Sequence, residues 1–227
     1  MPKSLLKAII FDFDGVLVES VSIKSDAFRI LFGKYPQYLD DFIRYHEYHG
    51  GVSRFVKIRY FFKQYLNQEI SDPELANWCQ KYSQLVVEKV VSARFVKGTK
   101  NLLDYCLDNF DLFVVSGTPQ DELREIVERR SMANYFLGVY GSPTNKQNLV
   151  ENILQQNQFK PNHVLLIGDA LTDYEAACAH RIPCIIRCEN QVPSWVSKGG
   201  NVSTCSDMVE VLNFISLNFK KEERIHG

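Results

Sequence analysis

The 227-residue chain lacks a dominant charge: 26 lysines and arginines stand against 27 aspartates and glutamates, a formal net charge of −1. Without a surplus of either sign there is no global field to draw it to nucleic acid or to an anionic membrane. A small-molecule partner is the expectation. It also lacks an apolar run of about twenty residues, the length that a membrane-crossing helix needs. The apolar segment starting at Ala8 breaks at Asp12, and the N-terminus, despite Lys3 and Lys7, has no small-residue cleavage site. The expectation is a soluble, cytoplasmic protein without a membrane partner. Internal repeats and low-complexity tracts are missing as well, which excludes solenoid architectures. Nothing in the sequence speaks to oligomeric state.

Cysteine is present six times, at Cys79, Cys106, Cys178, Cys184, Cys188 and Cys205. No export signal to an oxidising compartment is expected from the N-terminal residues, and a chain of this length needs no covalent staples. Free thiols are expected. Cys178, His180, Cys184 and Cys188 form a superficial metal-site pattern, but Ile182-Pro183 divides a helical stretch from a strand. Four residues along a strand span about 13 Å, too far for two sulfurs to share one zinc ion.

Hydrophobic residues make up 45% of the chain, enough for one large domain or a domain carrying a sizeable insertion. Short apolar runs at Ala8 to Phe13, Leu112 to Ser116, Phe136 to Tyr140, Val164 to Gly168 and Cys184 to Arg187 predict strands. Helical spacing lies between them, at Lys100 to Asn109, Gln120 to Met132, Lys146 to Gln156 and Asp173 to His180. Strand alternating with helix predicts an α/β fold, a doubly wound, Rossmann-like parallel sheet covered on both faces. From about Glu19 to Phe95 the strand signal disappears, leaving amphipathic segments near Ser22 to Phe32, Tyr38 to His49, Val52 to Asn67 and Ser71 to Val90. Ser71 and Glu74 are spaced as a capping box for the last of these. The predicted organisation is an α/β core over 1–18 and 96–219, a helical bundle inserted over 19–95, and a charged end over 220–227 that frays.

The densest chemistry lies where strands end. Asp12 and Asp14 follow an apolar, β-branched run, and in a continued strand alternate residues would share a face. Two like charges that close raise the cost of ionising each other unless a cation or a proton-transfer role compensates. The same string also fits a solvated turn. Ser116-Gly117-Thr118-Pro119 follows another strand, with Thr118 spaced as a helix cap and Pro119 at the first helical position. That combination is either a phosphate cradle or an ordinary capped turn. Lys146 stands at a helix start, where the dipole disfavours a cation and an anion in front of it would compensate; surface solvation is the simpler alternative. Asp169 and Asp173 follow the apolar run Val164 to Gly168. Four carboxylates with a lysine and a serine describe a hard-cation site beside a phosphate, and that cation would be magnesium.

In this order, Asp12-Phe13-Asp14-Gly15, Ser116, Lys146 and Gly168-Asp169 with Asp173 resemble the four motifs of the haloacid dehalogenase superfamily phosphatases. The helical insertion resembles that family's cap, of the kind in its phosphoglycolate phosphatase and β-phosphoglucomutase branch. The resemblance implies a phosphoric monoester hydrolase acting on a sugar phosphate, phosphoglycolate or a similar small ester. It implies that Asp12 attacks phosphorus to form an aspartyl-phosphate, and that Asp14 protonates the leaving oxygen and later activates water. Ser116, Gly117, Thr118 and Lys146 would hold the phosphate. Mg²⁺ would be bound by Asp12, Asp14 through its backbone carbonyl, and Asp169, with Asp173 in support. Substrate choice would lie in the cap, where Gly51, Arg54 and Lys24 are the candidates, although an interhelix turn with a surface arginine fits the first two equally. A phosphomutase is the alternative, set back by Lys24 standing where such mutases carry a histidine. A dehalogenase has no use for Asp14, and a noncatalytic sugar-phosphate sensor would not need every polar position required for turnover.

Overall fold

The structure, a computed structural model, describes residues 3–189, 191–196 and 202–220. Two short strands open it, β1 (Ser4–Leu5) and β2 (Ala8–Phe11), and every residue of β2 is buried. Four helices follow before the next strand: α1 (Val21–Leu31), α2 (Pro36–Tyr48), α3 (Arg54–Leu66) and α4 (Asp72–Ser92). The α4 start carries the capping box, with Ser71 Oγ and the Glu74 carboxylate exchanging hydrogen bonds with each other's backbone N–H. The chain continues through α5 (Thr99–Leu107), β3 (Asp111–Pro119), α6 (Gln120–Arg129), β4 (Gly138–Ser142) and α7 (Lys146–Gln156). It ends with β5 (Val164–Gly168), α8 (Leu171–His180), β6 (Cys184–Arg187), β7 (Val202–Cys205), α9 (Met208–Asn218) and β8 (Phe219–Lys220).

Among the described residues the main sheet has six strands in the order β4-β3-β2-β5-β6-β7, all parallel, while β1 and β8 pair separately. Alternation along each strand divides the core into two. Ile9, Phe11, Leu112, Val114, Leu165 and Ile167 face the helices α5, α6 and α9, whereas Ala8, Ile10, Phe113, Val115, Val164 and Leu166 face α7 and α8. A sheet buried on both faces explains why its strands read as unbroken apolar runs. The edge strand β7 and the helix α9 have no counterpart in the sequence reading. The predicted charged end, 220–227, lies outside the described residues from 221 onward.

The helices α1 to α4 bury a nearly continuous aromatic cluster, with Phe32 stacked on Phe61 at 3.7 Å between ring centroids and Phe42 edge-on to both. Arg130, at the end of α6, donates to the carbonyls of Val90, Val91 and Ala93 at 2.6 to 2.9 Å and so supplies a partner at the C-terminal end of α4. No helix among the described residues is long and apolar enough to cross a membrane. All six cysteines are unpaired.

Candidate active site

Register places the site. Phe11, the last residue of β2, is level with Val114 on β3 and Ile167 on β5. Asp12 therefore emerges between the two neighbouring strands, one residue below Ser116 and Asp169, at the carboxyl edge where the strand order reverses. Open α/β sheets bind ligands at this switch point. The Asp12 N–H still donates to the Ile167 carbonyl at 2.8 Å, after which the chain leaves the sheet. Gly15, at φ +75, makes that departure, and a side chain there would collide with the Asp169 carboxylate.

The two carboxylates of the first motif consequently part and meet different cations. Asp12 Oδ2 accepts from Lys146 Nζ at 2.6 Å, and Lys146 also donates to Asp173 Oδ1 at 2.7 Å. Asp14 pairs with Lys24 and accepts from Ser20 Oγ at 2.6 Å, Thr118 Oγ1 at 3.0 Å and Ser116 Oγ at 3.3 Å. The protonation balance differs accordingly. Burial pushes Asp12 up to about 7, against the pull of Lys146 and with added repulsion from Asp173 and Asp14. Asp14 is buried too, yet Lys24 and the hydroxyls of Ser20 and Thr118 hold it below the ordinary carboxylate range.

Oxygens of Asp12, Asp169 and Asp173 lie within 4.8 Å of one another. Asp169 is raised well above its ordinary value by burial and by the neighbouring Asp12 and Asp173 charges, which Lys146 offsets only in part. A buried anionic cluster short of positive charge, built of hard oxygen donors, fits a small divalent cation. The Asp14 carboxylate stands outside this cluster. Asp173 is already engaged on both oxygens, with Oδ2 accepting from the Ala170 N–H at 3.2 Å and Oδ1 on Lys146. Its contacts orient Lys146 and the start of α8.

One sequence expectation is corrected. Thr118 is not a helix cap: β3 continues through Pro119, whose φ of −54 and ψ of 142 are extended, and α6 begins at Gln120 with no side-chain cap. A register shift between Val115 and Pro119 lets the strand carry on past Ser116. Thr118 instead bridges Asp14 and Lys24, accepting from Lys24 Nζ at 2.7 Å, while its N–H donates to Ser116 Oγ at 3.2 Å. Lys146 does occupy the first position of α7, behind a cap supplied by Asn145, which accepts from the Asn148 N–H at 2.8 Å.

The candidates from the helical segment all line the same cleft. Lys24 lies on Asp14. Gly51, at φ +75, packs so that an added carbon would sit 3.1 Å from Lys146 Nζ, and its carbonyl abuts Gly117. Arg54 is buried, stacked 4.5 Å over Tyr82, and its guanidinium fork is taken by Glu122 of α6 and by Ser83. Its charge is thus neutralised before any ligand arrives. The sequence reading missed Lys57, Tyr82 and Trp195, which also line the cleft, as does His46 at the start of the candidate stretch His46 to Arg54. The signal for Lys57 was available: it shares the buried stripe of α3 with Arg54, Ile58 and Phe61, an unusual place for a lysine.

A family model for haloacid dehalogenase-like hydrolases matches residues 9–186. Among solved structures, a predicted phosphatase of Clostridium acetobutylicum is 20% identical with a TM-score of 0.73, over 94% of this chain and 100% of that one. The hydrolase YfnB of Bacillus subtilis, bound to magnesium, is 17% identical with a TM-score of 0.70 over 93% and 99%. A protein of Bacteroides vulgatus assigned as a β-phosphoglucomutase is 18% identical with a TM-score of 0.74 over 94% and 89%. Identities this low establish a common fold, and the reaction has to be argued from the site. No curated protein matches the chain.

Proposed function

This chain belongs to the haloacid dehalogenase-like hydrolases, and we propose that it is a magnesium-dependent phosphatase of small phosphomonoesters working through an aspartyl-phosphate. The observation that carries the reading is the meeting of Asp12, Lys146, Asp169 and Asp173 at one strand edge, with Asp14 and Ser116 alongside. In this reading an Asp12 carboxylate oxygen attacks phosphorus and the ester oxygen departs with a proton from Asp14. Water, deprotonated by Asp14, then attacks the phosphorus of the acyl phosphate and regenerates Asp12.

Asp14 rests ionised under the influence of Lys24, Ser20 and Thr118. The approach of a phosphate dianion raises its proton affinity and loads the acid. General acid–base help is worth about 10² to 10⁴ in rate, whereas the slowest phosphate monoesters need about 10²¹, so charge stabilisation supplies most of the remainder. Lys146 and Ser116 are the protein donors aimed at the phosphoryl oxygens. Asp12 and Asp169, with the Asp14 carbonyl, would hold Mg²⁺, and bound there it would neutralise charge on the phosphoryl group. The helices α1 to α4 serve as the cap over the domain formed by 1–18 and 96–219, excluding water once an ester is seated.

Screening a phosphomonoester library for phosphate release with and without Mg²⁺ tests the reading. Metal-dependent release from at least one small ester is expected, and no release from any ester would overturn it. A mutase would show itself by needing a bisphosphate activator and freeing little phosphate.

A further inference from the structure

A cleft of about 310 Å³ lies between the cap helices and the strand ends. Most of the cations around it already have a carboxylate partner: Lys24 has Asp14, Arg54 has Glu122, and Lys146 has Asp12 and Asp173. Lys57 does not. Among the described residues no carboxylate comes within ion-pairing distance of it, although it is buried and lines the cleft. Its amine donates to His46 Nδ1 at 2.8 Å and to the His46 carbonyl at 3.0 Å. Burial, with the charge of Lys57, pushes His46 down to about 2, so the imidazole is neutral and its Nδ1 is an acceptor. An ammonium has three N–H donors and His46 takes two, which leaves one donor and one uncompensated charge at the cleft wall.

We infer that Lys57 is a specificity-determining residue that binds a second anionic oxygen group, a carboxylate or a phosphate, on the leaving portion of the substrate. This rests on the phosphomonoester reading and names the substrate class within it. Burial pushes Lys57 down to about 7, Lys24 and Lys146 add to that by repulsion, and Asp14 offsets it only in part. The protein has therefore placed an amine where its charged form is poorly supported until an anion arrives. A substrate anion supplies the missing partner, whereas a neutral leaving group leaves the amine as it was. Such a difference between ligands is what specificity consists of. The alternative is that Lys57 only ties α2 to α3 through His46.

The test compares alkyl phosphates of short and medium chain with counterparts that carry a terminal carboxylate or phosphate. Binding is measured by calorimetry and phosphate release by kinetics, and each is read as a ratio within one protein so that a general loss cancels. Wild type should favour the doubly anionic ligand of the fitting length by about 10- to 100-fold, the range of a charge-assisted hydrogen bond. Lys57→Met should bring that ratio close to one. Lys57→Gln, which keeps a donor for His46 but no charge, should do the same, and it serves if the methionine variant does not fold. Equal binding of both ligand types by wild type, or an undiminished ratio in either variant, would overturn the inference. Failure of the phosphatase reading is distinguishable: wild type would release no phosphate from any ester while the binding ratio remained.

Discussion

Lys146 Nζ lies 2.6 Å from Asp12 Oδ2, with both side chains buried. The lysine opposes a burial that has pushed the candidate nucleophile up to about 7. Asp12 attacks only when ionised, so activity falls as pH drops through its pKa. Lys146→Met removes the opposing charge and raises that pKa further. The acid limb of the kcat/KM profile should move to higher pH, and turnover at neutral pH should fall at least about 10²-fold, as for loss of a main charge-stabilising donor. An unmoved acid limb would contradict this coupling.

Asp12→Asn keeps the shape of the side chain and removes the nucleophilic oxygen. Turnover should vanish, and rapid-quench experiments should find no phosphate covalently held. Substantial residual phosphatase activity would sink the assignment.

Chelation should abolish activity and Mg²⁺ should restore it. A second readout avoids turnover altogether. Magnesium at a hundredfold over its dissociation constant should stabilise the fold by about 2.7 kcal/mol, visible as a rise of several degrees in melting temperature. Asp169→Asn, which removes an anion from the cluster of Asp12, Asp169 and Asp173, should shrink that rise. A rise of the same size in the variant would place the ion elsewhere.

Arg54 and Glu122 form a buried pair between α3 and α6. Removing one member leaves the other charge buried without compensation, so Glu122→Ala should cost about 3 to 5 kcal/mol in urea denaturation. Replacing both, as Arg54→Met with Glu122→Leu, should recover most of the loss. If the single and double variants were equally stable to unfolding as wild type, the pair would carry no structural load.

Legibility in the sequence followed burial. Val164 to Gly168 is buried throughout and appears as a strand with the same limits in sequence and structure. Val202 to Cys205 is a short, half-exposed edge strand interrupted by Ser203 and Thr204, and it leaves no comparable trace. Helix α9 left a trace that went unread: Asp207 caps it by accepting from Val209 and Glu210 N–H groups, and Met208, Val211 and Ile215 line its buried side. Within the site, Asp12, Ser116, Lys146 and Asp169 stood out because each comes after an apolar run in the sequence. Their partners did not, since pairing is decided across the fold. Lys24 reaches Thr118 over 94 positions and Arg54 reaches Glu122 over 68, distances at which local pattern carries no information. Thr118 misled for the opposite reason: its local pattern spelled a helix cap, and strand pairing with β4 overrode it.

The contact between Gly51 and Gly117 sets a tolerance. Gly117 meets the Gly51 carbonyl so closely that an added carbon would overlap it and would lie 2.8 Å from the carbonyl carbon behind. A methyl at Gly117 would therefore act as a doorstop, wedging the Gly51 turn away from β3 without removing any charged side chain. Misplacement by about 1 Å costs on the order of 10² in rate, so Gly117→Ala should lose turnover out of proportion to its loss of melting temperature. The two backbones meet here with a clearance smaller than one carbon atom.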